Sequence, residues 1–162
     1  DDHVMFARLS HRNPTLFETA FQLHAPPEFR YIARMFEISI QRTFSAAHAL
    51  RLPDGSYEPT HGHDWQVTVV VASEKLDEID TVMDFHILEP ALDAIIGPWH
   101  NHHLNEVAPF ADADGHLAIN PSAERVVWHI AQTITPALPD GVTLVSVTVT
   151  EAPGCAATYR PV

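Results

Sequence analysis

The sequence predicts an α+β fold: a four-stranded antiparallel sheet with two helices on one face. Three observations carry this. Alternating apolar and polar residues occur early, at 36–45 and 64–73. Helical spacing follows at 84–97 and 120–135, and β-rich stretches close the chain from 142 onward. Strands that flank helices, rather than alternating with them, favour helices gathered on one face of an antiparallel sheet. The predicted order is ββααββ.

In the first strand Phe36, Ile38, Ile40 and Phe44 alternate with Glu37, Ser39, Gln41 and Thr43, the pattern of a half-buried strand. Residues 51–60, RLPDGSYEPT, hold proline, Asp-Gly and serine and read as a loop. Trp65, Val67, Val69 and Val71 then share one face of a second strand. In 84–97, Leu88, Leu92, Ile95 and Ile96 recur at helical spacing, with Asp84 as N-cap and Gly97 as stop. In 120–135, Asn120 reads as the cap and Pro121 as the first helical residue, with Val126, Val127, Ile130 and Ile134 as the apolar stripe. Between the helices, 112–115 (DADG) resembles the start of a calcium loop. The closing bidentate glutamate is absent, so it reads as a turn. Residues 142–151 alternate imperfectly, and Pro153-Gly154 turns into a last strand from Cys155.

The chain has 162 residues, of which 46% are apolar, enough for one domain with its own core. Residues 1–34 mix histidine, arginine, proline and phenylalanine without a period. They read as an N-terminal extension, with the folded domain at 35–162. Acidic residues outnumber basic ones 21 to 9, a formal charge of −12 that repels phosphate backbones and anionic lipid. Neither nucleic acid nor a membrane surface is therefore an expected partner. The apolar run VTVVVA at 67–72 is far too short to span a bilayer. A single cysteine, Cys155, excludes an intramolecular disulfide and any multi-cysteine zinc site. The N-terminal stretch begins acidic and has no apolar core of a signal peptide, so a cytoplasmic protein is expected.

His61 and His63 flank Gly62 at the entrance to the second strand. On extended backbone, positions i and i+2 point the same way. His48 ends the first strand, and antiparallel pairing would bring it to the same place. Three neutral imidazoles suit zinc and leave a fourth position open, the arrangement of a catalytic site. The plainer reading of the His-Gly-His pair is two polar residues at a strand entrance.

The blocks FSAAHAL, HGHDWQVTV, VMDFHIL, HHLNE, NPSAERVVWHI and VTVTEAPGCAATY occur in one order across roughly residues 35–160. Together they resemble the 6-pyruvoyl-tetrahydropterin synthase and 6-carboxy-tetrahydropterin synthase family. The resemblance implies a tunnelling fold, trimers or hexamers with sites between subunits, and zinc on His48, His61 and His63. It also implies a dihydropterin substrate such as 7,8-dihydroneopterin triphosphate. Glu151 stands where the family's pterin-anchoring glutamate is expected, and one carboxylate can accept two hydrogen bonds from adjacent ring N–H and amino groups. Ser122 matches a hydroxyl position that helps to bind the pterin; otherwise it is an ordinary first-turn serine.

The chain departs from the family at two places. Many members carry a basic cysteine shortly before His-Gly-His, and here the interval DGSYEPT has none. Glu58 takes that spacing in some members that cleave the side chain, and it is the candidate base. Tyr57 is weaker, with an ordinary pKa of about 10. The family's Asp-His relay is also altered. His102, with His100 as competitor, is the candidate proton carrier, and Asn101 stands in the aspartate's region. Asparagine can orient an imidazole but supplies no charge to it. The expected function is a zinc-dependent lyase acting on a dihydropterin side chain. The alternative is a zinc- and pterin-binding homologue without the family's usual activity.

Overall fold

The computed structural model describes residues 35–162; the expected extension at 1–34 lies outside the described residues. Strands β1 (Phe36–His48) and β2 (His61–Ser73) pair antiparallel over their whole length, from Phe36 opposite Ser73 to His48 opposite His61. Directly paired residues share a face. Ile40, Phe44, Ala46 and His48 on β1 therefore face the same way as His61, His63, Trp65, Val67, Val69 and Val71 on β2. Arg42 also belongs to this face, at its margin. It reaches Glu89 and Asp93 on the first helix, at 3.0 Å each. Partly exposed pairs of this kind contribute about 0–1 kcal/mol each, so they orient the helix more than they stabilise it.

The chain then forms α1 (Phe85–Ile96), a two-residue β3 (His102–His103), α2 (Ala123–Ile134), β4 (Thr143–Ala152) and β5 (Cys155–Tyr159). The sheet order is β3-β1-β2-β4-β5. The α+β class and the ββααββ framework match expectation. The sheet itself has five strands rather than four and is mixed, because β3 pairs parallel with Ala46 and Ala47 of β1. Two residues are too few to show any alternation, so this strand has no sequence signature. The irregular pattern of β4 has a cause. Val70 pairs with Ser146 and Val71 with Leu144, so Val145 is the extra residue of a β-bulge.

Asp84 caps α1 as expected, its carboxylate accepting from the His86 N–H at 2.8 Å. Gly97 does end α1. Its φ of −54°, however, lets the chain continue into a 3₁₀ turn at Gly97–Trp99 instead of a left-handed stop. The cap of α2 is Ser122, not Asn120: the Ser122 hydroxyl accepts from the Arg125 N–H at 3.3 Å. Asn120 and Pro121 precede the helix, and the Asn120 side chain is spent elsewhere. The segment at Asp112 is the expected turn, with the Asp112 carboxylate accepting from the backbone of Asp114 and His116.

One apolar cluster joins sheet and helices. Val67, Val69, Val147 and Val149 meet Leu88, Leu92, Val126, Ile130 and Ile134, all essentially inaccessible. Burying such a side chain stabilises by about 1.5–3 kcal/mol. At the end of this core Phe44 stacks on Trp65, with centroids 5.9 Å apart, and Trp99 closes over Phe44 at 5.6 Å. The histidines lie just beyond this aromatic plug on the same sheet face. Among the described residues no helix is long and apolar enough to cross a membrane.

Candidate active site

His48, His61 and His63 each offer one ring nitrogen, and these atoms lie within 4.8 Å of one another. The strand parity explains this. The core face of β1 and β2 runs past Trp65, and three of its last four positions are imidazoles, with Ala46 the fourth. His48 packs against Trp65 with ring centroids 4.8 Å apart. It is 3% exposed, yet its Nε2 has no hydrogen-bond partner.

Backbone carbonyls decide the tautomers. A carbonyl only accepts, so the His48 Nδ1–H donates to the Pro121 oxygen at 2.8 Å, leaving Nε2 bare. The His61 Nδ1–H likewise donates to the Pro59 oxygen at 2.9 Å. Burial holds the His48 pKa below its ordinary value, outweighing the Pro121 bond and the nearby Glu151 carboxylate. A neutral imidazole, oriented by a carbonyl behind it and aimed at two more imidazoles, is the donor set of a metal site. An orphaned buried nitrogen requires an explanation, and a metal ion supplies one. The three side chains fit zinc.

Glu151 extends from the same sheet face on β4, with Oε1 3.7 Å from the His48 Nε2. It reaches His48 without joining the three-histidine group. Ser122 follows Pro121, the residue whose carbonyl holds His48, and its hydroxyl caps α2. Glu58 lies on the Nδ1 side of His61, with Oε1 4.0 Å from that nitrogen. The same oxygen accepts from the Leu50 N–H at 2.9 Å. Tyr57 is half exposed and forms a β-bridge with Arg51.

The two relay candidates separate. Across the sheet, His63, Ala46 and His102 form one row, since Ala46 pairs with both histidines. His102 lines a cleft of about 540 Å³ together with His63, Asp64, Asn101 and His103. Its Nδ1–H donates to the His100 carbonyl at 2.9 Å. A neutral carbonyl thus orients His102, with no carboxylate in that place. His100 does not line the cleft, and its Nδ1 accepts from the Ser45 N–H at 3.1 Å, tying down the end of β1. Asn101 has φ 61° and donates its N–H to the Ser45 oxygen at 2.7 Å. It is the residue that turns the chain into β3, a backbone conformation asparagine tolerates. Asp64 and His103 were not singled out from the sequence; strand register alone brings them to the cleft. Cys155 is exposed at the β4–β5 turn, opposite Ala152.

The family model described as 6-pyruvoyl tetrahydropterin synthase matches residues 37–162. The chain belongs to this family. Among curated relatives it is similar to the probable 6-carboxy-5,6,7,8-tetrahydropterin synthase of Halobacterium salinarum. Identity is 31% over 123 residues, covering 70% of the chain and 79% of the relative. It is also similar to the 6-carboxy-5,6,7,8-tetrahydropterin synthase of Bacillus subtilis, at 27% over 128 residues, covering 78% and 86%. Among solved structures, the 6-pyruvoyl tetrahydropterin synthase of Caenorhabditis elegans shares the fold. Its TM-score is 0.65 at 18% identity, covering 80% of this chain and 97% of that one. The Plasmodium vivax enzyme of the same name gives 0.63 at 18%, covering 79% and 98%. These likenesses confirm the tunnelling fold of the 6-pyruvoyl tetrahydropterin synthase family for the described domain.

Proposed function

We propose that this protein is a zinc-dependent lyase acting on the side chain of a dihydropterin, such as 7,8-dihydroneopterin triphosphate, in the manner of a 6-carboxy-tetrahydropterin synthase. The observation that carries this reading is the bare, buried Nε2 of His48, converging with His61 and His63 beside the Glu151 carboxylate. The names of the two bacterial and archaeal relatives point to the same substrate class.

Zinc on His48, His61 and His63 would act as a Lewis acid that lowers the pKa of a substrate hydroxyl. Glu151 accepts two hydrogen bonds from the pterin's ring N–H and amino group, which fixes the ring's orientation. The Ser122 hydroxyl adds a further contact at the ring. Glu58 takes the proton that the family's cysteine takes elsewhere. Two further Plasmodium vivax structures are variants of a glutamate named as a catalytic residue, so a carboxylate serves in at least one family fold. His102 carries a proton within the cleft, and His100 holds the backbone behind it. Among the described residues β3 and β5 are the edge strands of the sheet, and edge strands can pair with neighbouring copies, which supports a trimer or hexamer with sites between subunits.

One observation favours a second reading, a zinc- and pterin-binding homologue without the family's usual activity. His102 is oriented by a backbone carbonyl and not by a carboxylate. Incubating the zinc-loaded protein with 7,8-dihydroneopterin triphosphate, and separately with dihydroneopterin, decides between them by product mass. A shortened or rearranged side chain supports the lyase. Bound but unchanged pterin supports the homologue, and no pterin binding at all overturns both.

A further inference from the structure

The backbone of Ala49, Leu50 and Arg51 leaves the β1–β2 ladder immediately after His48, yet every one of its polar groups is satisfied. The Ala49 N–H donates to the Asn105 side-chain oxygen at 2.9 Å, and the Asn105 amide donates to the Ala49 carbonyl at 2.6 Å. The Arg51 N–H donates to the Asn120 side-chain oxygen at 2.8 Å, and the Asn120 amide donates to the Arg51 carbonyl at 2.9 Å. Between them, Leu50 donates to the Glu58 carboxylate at 2.9 Å and accepts from the Glu58 N–H at 3.1 Å. Each asparagine side chain presents a donor and an acceptor in the geometry of a peptide group. The two amides therefore act as strand surrogates, continuing the ladder past the point where β2 departs.

The residues so held are functional neighbours. Ala49 follows the ligand His48. Leu50 is the donor that places the Glu58 carboxylate. Asn120 precedes Pro121, whose carbonyl sets the His48 tautomer. Asn105 is buried and follows Leu104, a fully buried anchor in the core, so its amide is a fixed reference. We propose that Asn105 and Asn120 are positioning residues: they hold His48 in its ligating orientation and the Glu58 carboxylate at its station beside His61. This rests on the zinc-lyase reading of the same site.

The test measures metal binding as well as turnover. Zinc affinity is read by competition with a chromophoric chelator, and geometry by the visible spectrum of the cobalt(II)-substituted protein. Loss of a group that orients a metal ligand from behind typically costs about 10- to 100-fold in affinity. Asn120→Ala is expected to fold, to bind zinc about 10-fold more weakly and to shift the cobalt bands. Asn105→Ala is expected to do the same more strongly. Because Asn105 is buried, Asn120→Ala carries the test if the former fails to fold. Ile134→Val, a core change at the far end of α2 from Pro121, is the control: it lowers the melting temperature and leaves the metal readouts unchanged.

An Asn120→Ala protein with wild-type zinc affinity and an unshifted cobalt spectrum overturns the positioning role while leaving the zinc reading intact. A wild-type protein that binds neither zinc nor cobalt overturns the zinc reading itself, and the positioning role with it.

Discussion

His48 and His61 close the β1–β2 ladder as its final pair, their ring centroids 4.5 Å apart. Direct pairing at a strand end holds two imidazoles on one face without a loop to place either. His63 joins them from two residues along β2. The sheet therefore presents the candidate ligand set, and the consequences for metal binding are direct.

Replacing His61 by alanine is expected to weaken zinc binding by more than the roughly 100-fold ceiling for loss of an outer-shell partner. Stability should follow metal content. Zinc at 100 times its dissociation constant raises the unfolding free energy by about 2.7 kcal/mol when only the native state binds. Thermal melts with zinc and with a chelator check this. Equal melting temperatures in both conditions for the wild-type protein would remove the assignment.

Glu58→Gln keeps an oxygen that can accept from the Leu50 N–H but removes the proposed base. Loss of general base catalysis typically costs about 10²- to 10⁴-fold in rate. The variant should melt like wild type, bind zinc normally and lose turnover on that scale. Full turnover would show that the proton leaves by another route, with His102 next in line.

Glu151→Gln should leave zinc content unchanged and weaken pterin binding. A hydrogen bond to a charged group contributes about 1.5–3 kcal/mol, which corresponds to a roughly 10- to 150-fold change in dissociation constant. Titration of a fluorescent pterin against the variant measures it.

Ser122 has two roles that one variant cannot separate. Ser122→Ala removes the α2 cap at a cost of about 0.5–2 kcal/mol. Ser122→Asp restores a capping oxygen but not a hydroxyl donor. If the hydroxyl also binds the pterin, the aspartate variant regains stability without regaining affinity. Recovery of both would leave Ser122 as a cap alone.

The pH dependence of folding should carry a mark from His129. It is partly buried in α2 against Trp99, with centroids 5.6 Å apart, and burial lowers its pKa. The unfolded chain then binds the proton more readily than the native state. Stability is complete above the ordinary histidine value of about 6.5 and falls as pH drops below it, toward the lower folded-state pKa. Denaturant unfolding of wild type and His129→Gln between pH 7 and 5 tests this: the variant's slope should be shallower over that range.

Much of this molecule was legible in its residues because local physics sufficed. Alternation placed β1 and β2, and helical spacing with Asp84 placed α1. The i and i+2 spacing of His61 and His63 put both rings on one face of whatever strand held them. Parity with Trp65 made that face the core face. The cap of α2 went to Ser122 because Asn120 found a better use: its amide matched both backbone groups of Arg51, a partner 69 residues away that no local rule reveals. Strand β3, the bulge at Val145 and the row of His63, Ala46 and His102 depend on register between distant segments. The choice between His102 and His100 was open in the sequence for the same reason. Only the fold commits His100 to the backbone of Ser45 and turns His102 into the cleft. The sequence by itself determined which side chains could do chemistry. Tertiary structure decided which nitrogen His48 and His61 leave bare, because that depends on which carbonyl stands behind each ring.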